Sequence, residues 1–261
     1  FAECVFDGDF PIAIPFVFMV MLTAFYAYDK LIWLSVICTP LSLPLSEFAF
    51  GLPFDLYMPT EPLLVGILIV FLFSLLTKRK LDRDITKHPI SKVIYFYLGW
   101  IALTTITSSL PLVSFKFFLA RLWFVVIFFF ILIYLFNKQK NIEKFIWMYT
   151  IALVPVLCYS IFRHLGYGLY DDQAAHFVMN PFFNDHTSYG AVIAMFIPFL
   201  LGLSYMYRKN TRLRIWIWGL TLFFFIAEIL SYTRAAWLSL FLAGGIWLIL
   251  KLRIKFKAIL V

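Results

Sequence analysis

The sequence predicts an all-α fold, a polytopic bundle of about nine transmembrane helices with the N-terminus on the outer side of the membrane. The first observation is composition: of 261 residues, 63% are hydrophobic and 14% are charged. Soluble chains carry about 45–50% apolar and about 25% charged residues. The second is pattern, because the apolar residues form continuous runs, which favour helices, rather than the alternation of a membrane barrel. The third is the position of the basic residues, which lie mainly between the runs.

The apolar runs give the predicted spans. The hydrocarbon core of a bilayer is about 30 Å thick and is crossed by about 20 mostly apolar helical residues. Because only helices and closed barrels satisfy their backbone groups in lipid, each run is expected to be a helix. The nine predicted spans are 10–28, 31–45, 62–76, 93–107, 117–136, 145–162, 188–205, 215–230 and 235–250.

The basic residues orient these spans. The segments that follow the odd-numbered spans hold 18 of the 22 Lys and Arg residues. Basic loops stay in the cytoplasm, so the N-terminus is predicted outside. The same residues meet anionic head groups, so the net charge of +8 indicates membrane lipid and no nucleic acid as a partner.

The chain is expected to form a single transmembrane domain over 1–261. The apolar residues after the last basic cluster resemble the start of another span, which predicts that the domain continues beyond them. The three cysteines are scattered, and no phosphate-binding glycine loop or metal-ligand spacing is present. No metal and no cofactor are expected.

Four basic residues lie on the predicted outer side, against the orienting rule: Lys116, Arg121, Arg163 and Arg234. An arginine at membrane depth costs at least about 2.5 kcal/mol at the centre and needs an anionic partner. Two kinds of partner stay open. One is an internal carboxylate, Glu228 for Arg234 and outer acids for the others. The other is a pyrophosphorylated lipid that several guanidinium groups clamp.

A dense polar segment, 180–190, leads into the seventh predicted span. Asp185, Thr187 or Ser188 is expected to cap that helix. His186 is a candidate base or hydrogen-bond donor, and Asp185 is a candidate orienting group beside it. A histidine at a helix start is also often structural or merely solvated, and that interpretation stays open.

Three segments carry a family resemblance: PFFNDHTSYGA at 181–191, SYTRAAWL at 231–238 and FDLYMPTEPLL at 54–64. The second contains R-x-x-x-L, formed by Arg234 and Leu238 at a predicted outer helix start. Together they resemble the O-antigen ligase/polymerase family, which consists of bacterial inner-membrane glycosyltransferases. The resemblance implies about twelve spans and a large outer loop beyond residue 261 that bears a His-x9-Gly motif. The general base is expected in that loop, so this chain alone is expected to be inactive.

The implied activity is transfer of a glycan from undecaprenyl pyrophosphate to an acceptor hydroxyl. Ligases use a lipid A core sugar as acceptor and polymerases use a growing chain, and the sequence leaves the two open. The resemblance assigns pyrophosphate binding and catalysis to Arg234. Arg121, Arg163 and Lys116 are weaker candidates for pyrophosphate binding, and Asp185 and His186 are candidate catalytic groups on the acceptor side. The chemistry is expected to be metal-independent, since the sugar is already activated.

Two other classes remain. A transporter of a small anion or solute would usually show inverted repeats and ionisable residues near the midplane. Here no repeat is visible, and the buried-side charges lie toward the outer ends of the spans. A purely structural scaffold leaves Arg121 and Arg234 unexplained unless Glu228 and the outer acids neutralise them. The enzyme is therefore the favoured interpretation.

Overall fold

A computed structural model describes residues 28–44, 57–77 and 83–253 of the chain. The described residues are mostly helical. Within these ranges the chain forms nine helices, labelled α1 to α9 in order: Tyr28–Leu41, Thr60–Thr77, Arg83–Thr86, Pro89–Ile106, Pro111–Phe136, Gln139–Tyr167, His186–Met206, Thr211–Leu230 and Arg234–Lys251. Helix α5 contains a π-helical stretch at Val126–Ile131.

Six of the described helices, α4 to α9, are long and apolar enough to cross a membrane. Helices α1 and α2 contain shorter apolar stretches, at Lys30–Leu41 and Thr60–Phe73. The chain is thus a multi-pass α-helical membrane protein, as the composition predicts. Each predicted span from the second to the ninth overlaps a described helix, although α1 ends at Leu41, before the predicted end of the second span at residue 45. The first, 10–28, lies almost wholly outside the described residues, so the number nine and the outer N-terminus stay predictions.

One short antiparallel pairing was not expected in an all-α fold. Leu43–Pro44 pairs with Tyr57–Met58, and beside this pair the hydroxyls of Ser42 and Thr60 form a hydrogen bond. The pairing lies directly after α1 and directly before α2. The pairing gives backbone hydrogen-bond partners to residues that lie just outside the two helices. With only two residues in each strand, the pairing leaves the fold in the all-α class.

The start of α5 differs from the predicted start of the fifth span. The helix begins at Pro111 rather than at residue 117, because proline at the first helical position has a suitable φ and no N–H to satisfy. Lys116 therefore lies within the helix rather than at its mouth. Arg121 lies ten residues after the start, about 15 Å along the axis.

The chain divides into two compact units, with the described residues up to Ile142 in the first and those from Glu143 onward in the second. Each unit is described by itself. The core of the first joins α1, α2 and α5 through these buried side chains: Leu31, Ile32, Leu63, Leu64, Ile67, Leu68, Phe71, Trp123, Val126, Ile127, Phe130 and Ile131. Arg121 and Lys116 belong to the first unit, and the other predicted site residues to the second. The prediction of a single domain stays a prediction.

In the second unit, α7 packs against both α8 and α9. Its core residues Ile193, Phe196 and Leu200 are fully buried. The ring of Tyr149 on α6 stacks on Phe196 with 4.5 Å between centroids. Many other apolar side chains on the spans are exposed, as expected where helices face lipid rather than water.

Helices α7 and α9 approach closely at Gly190. A Cβ atom built at this position would lie 2.7 Å from both Cβ and Oγ1 of Thr233 and 3.0 Å from Oγ of Ser231. Thr233 is β-branched, so its Cβ cannot move without the backbone. The sequence of α7 thus allows this contact because residue 190 has no side chain.

We expect Gly190→Ala to lower the free energy of unfolding by about 1–3 kcal/mol, because overpacking forces the helices apart. Gly202→Ala is the matched control, since it lies in the same helix and a Cβ atom there would have no neighbouring atom within 4 Å. The control should be neutral or slightly stabilising, because alanine favours helix over glycine. Thermal unfolding in detergent measures both, and equal melting temperatures for the two variants would contradict the close approach.

Candidate functional site

The predicted site residues of the second unit lie at one end of its helices. Here α6 and α8 end, α7 and α9 begin, and the turn Ser231–Thr233 joins α8 to α9. The segment 168–185 connects α6 to α7 and contains a short 3-10 helix at Ala174–His176. We refer to this region as the Arg234 end; it corresponds to the predicted outer side.

The turn before α9 is held by side-chain hydrogen bonds. Tyr232 has a φ of 52°, which is uncommon for a bulky residue. Its hydroxyl donates to the carbonyl of Leu169 at 3.0 Å. The Thr233 hydroxyl donates to the carbonyl of His186 at 2.9 Å. These bonds fix the start of α9 beside the start of α7 and the segment that precedes it.

Arg234 is the first residue of α9, and its side chain is exposed. Within the described residues it makes no hydrogen bond or ion pair. No side chain caps α9, since the Thr233 hydroxyl donates to carbonyl oxygens and does not accept from a backbone N–H of the first turn. An uncapped helix start carries unsatisfied N–H groups and a partial positive charge. The guanidinium and the helix start therefore place positive charge together, which suits an anion.

Glu228 does not neutralise Arg234. The side chain of Glu228 is 1% exposed, and neither carboxylate oxygen has a hydrogen-bond partner in the described part of the chain. The indole N–H of Trp237 donates to the carbonyl of Glu228 at 3.0 Å rather than to its carboxylate. Of the two kinds of partner that the sequence left open, the internal carboxylate is not seen for Arg234.

Asp185 caps α7, as predicted. Its carboxylate accepts from the hydroxyl of Thr187, from the N–H of Ser188 at 2.8 Å and from the hydroxyl of Ser188 at 2.9 Å. These bonds, the one from the Thr187 hydroxyl first, lower the pKa of Asp185 to about 2. The carboxylate is thus ionised at neutral pH, and its oxygens are occupied by the bonds that cap α7.

His186 pairs with His176, a residue absent from the predicted site. Their Nδ1 atoms lie 2.9 Å apart, and the rings meet edge to face with 4.0 Å between centroids. One Nδ1 must donate and the other accept, so the two rings cannot both be protonated there. The ten-residue spacing carried no signal, since the path of the connecting segment was unknown.

Arg163 ties α6 to the connecting segment. One guanidinium nitrogen donates to the carbonyl of Asn180 at 2.7 Å, and the group lies 5.9 Å from the ring centre of Phe177. The next residue, His164, is buried, and its Nε2 lies 3.0 Å from the carbonyl of Asp171. These contacts indicate that Arg163 uses some of its N–H donors to hold this segment in place.

Arg121 and Lys116 lie on α5 of the first unit. Arg121 is exposed, with its guanidinium carbon 4.9 Å from the ring centre of Phe117. Their predicted contribution to pyrophosphate binding stays a prediction.

The described residues contain no group of three or more side chains suited to a metal ion. No family model, curated protein or solved structure matches the chain. The fold and the site therefore define a class, a multi-pass helical membrane protein with a cationic helix start at one end of its second unit.

We expect Asp185→Ala to lower the free energy of unfolding by about 1 kcal/mol, as loss of an N-cap does. Since the pKa is lowered, the stabilising effect of the carboxylate is present above its ordinary value of 3.8 and lost as pH falls toward about 2. Asp185→Asn keeps an acceptor but does not titrate, so this variant should lose the pH dependence that residue 185 contributes. Unfolding followed against pH tests this, and identical pH profiles for Asn and Asp would contradict it.

Proposed function

We propose that this chain belongs to a membrane glycosyltransferase of the bacterial inner membrane. The enzyme would transfer a glycan from an undecaprenyl-pyrophosphate carrier to an acceptor hydroxyl, as the resemblance to O-antigen ligases and polymerases implies. The observation that carries the proposal is the exposed guanidinium of Arg234 at the uncapped start of α9, which has no partner among the described residues. A lipid-linked pyrophosphate is an anion that is delivered at a membrane surface, where this helix start is expected to lie.

The reaction breaks the bond between the anomeric carbon of the glycan and a pyrophosphate oxygen. The acceptor oxygen bonds to that carbon, its proton passes to a base, and the carrier leaves with its pyrophosphate. Negative charge grows on the leaving oxygen, and a guanidinium fixed there stabilises it electrostatically. Two parallel N–H donors match two phosphoryl oxygens, which gives orientation as well as charge.

The start of α7 would serve the acceptor side. Asp185 is a positioning residue in this proposal, because its carboxylate is occupied by the cap. His186 follows it directly and is oriented by its contact with His176. A ring held in this way can direct an acceptor hydroxyl by hydrogen bonding.

We expect Arg234→Ala to reduce glycan transfer by the complete protein about 100-fold or more, the usual cost of one lost electrostatic donor. The membrane level should stay near normal, because the side chain is exposed. Arg234→Lys should rescue only partly, since it keeps the charge and loses the fork. Transfer from a purified lipid-linked donor and immunoblots of membranes measure the two quantities.

The matched control is Arg212→Ala, which removes an exposed arginine from the opposite end of α8. It should leave transfer unchanged. Full activity of Arg234→Ala, or its loss from the membrane, would contradict a pyrophosphate role. A deletion strain distinguishes the acceptors, because uncapped cores indicate a ligase and single-repeat caps a polymerase.

A transporter is the second candidate, and Glu228 is the observation that favours it. Buried ionisable side chains in transmembrane helices often mark ion or substrate paths. A transporter would move solute in vesicles without any lipid-linked glycan, and Glu228→Gln would reduce that uptake. Glycan transfer that survives Glu228→Gln and fails in Arg234→Ala would favour the enzyme.

A further inference from the structure

Glu228 belongs to a buried polar cluster inside the second unit. It lies on α8, two residues before the end of the helix. Ser160 on α6 is also buried. Tyr189 on α7 is buried as well. Its phenol interacts electrostatically with Glu228 and lies beside the Ser160 hydroxyl. Three different helices thus contribute oxygen atoms to one apolar region.

The donors nearest to Glu228 along the chain are used elsewhere. The Ser231 hydroxyl donates to the carbonyl of Glu228 at 2.8 Å, as the indole of Trp237 also does. In the part of the chain that the structure describes, the titratable groups around the carboxyl are Tyr189 on α7 and, next to Tyr189, Cys158 on α6. The described residues therefore provide no fixed positive charge to balance an ionised carboxylate.

An ionised carboxylate is costly in an apolar interior unless a charge or several donors compensate it. A bound cation or a bound proton removes this cost. Hard metal ions such as Ca²⁺ and Mg²⁺ take about six or more oxygen ligands, whereas this cluster offers one carboxyl group and two hydroxyls. A proton needs only the carboxylate, and the resulting acid is neutral.

We propose that Glu228, Tyr189 and Ser160 form a proton-binding site within the helices of the second unit. The carboxylate takes a proton from a hydronium ion and leaves water, so Glu228 becomes a neutral acid in the apolar interior. The site lies about one helical turn below the Ser231–Thr233 turn. The assignment does not depend on the glycan-transfer proposal.

Infrared spectroscopy of the reconstituted chain tests the site directly. The wild type should show a carbonyl band of a buried protonated carboxylic acid, which persists at neutral pH and shifts in heavy water. Glu228→Gln should remove this band, because the amide has the same shape and no acidic proton. The matched control is Glu143→Gln, which removes a carboxylate that accepts from the Tyr207 hydroxyl at 2.9 Å. The control should leave the band in place.

Tyr189→Phe is a second variant for the same measurement, and it gives a decisive result even if Glu228→Gln folds poorly. It removes one hydroxyl next to the carboxyl, so the band should shift in frequency and remain. A band that persists in Glu228→Gln, or one that Tyr189→Phe leaves unmoved, would overturn the assignment. Suppression of the band by Na⁺ at constant pH would also overturn it, because the occupant would then be sodium.

Discussion

Thr233 has one hydroxyl, and the chain uses it to join α9 to α7 rather than to cap α9. The bond to the carbonyl of His186 is possible because Gly190 lets the two helices approach. Two consequences follow at the same point. The start of α9 is held beside the start of α7, and it keeps its partial positive charge unsatisfied. The exposed guanidinium of Arg234 adds to that charge, so the cationic character of this end arises from backbone packing as much as from one side chain.

The arginines of the second unit show how context changes the role of one residue type. Arg163 donates to a backbone carbonyl and lies against an aromatic ring, so much of its donor set orders the connecting segment. Arg234 has no such contacts in the described residues. A guanidinium that already holds protein atoms is less able to reorganise around a ligand, whereas one held only by its backbone can close on an anion. This difference places Arg234 first among the candidates.

The sequence predicted what depends on composition and on local chemistry. Spans two to nine overlap helices because long apolar runs leave the backbone no other structure in lipid. Asp185 was one of three candidates for the cap of α7, because N-capping involves neighbouring residues only. The start of α5 was placed too late because counting apolar residues ignores the preference of proline for the first helical position. The contact of His176 with His186 and the burial of Glu228 depend on tertiary packing, which periodicity does not encode.

Glu228 and Arg234 have opposite formal charges and lie six residues apart, separated by the Ser231–Thr233 turn. An ionised Glu228 would attract the guanidinium and compete with any anion for it. If both proposals hold, a neutral Glu228 would exert no such attraction, and proton occupancy below the turn would favour anion binding above it. By linkage, an anion that engages Arg234 would then change the proton affinity of Glu228 by the same factor. In this scheme the turn keeps apart two groups that would cancel each other as an ion pair.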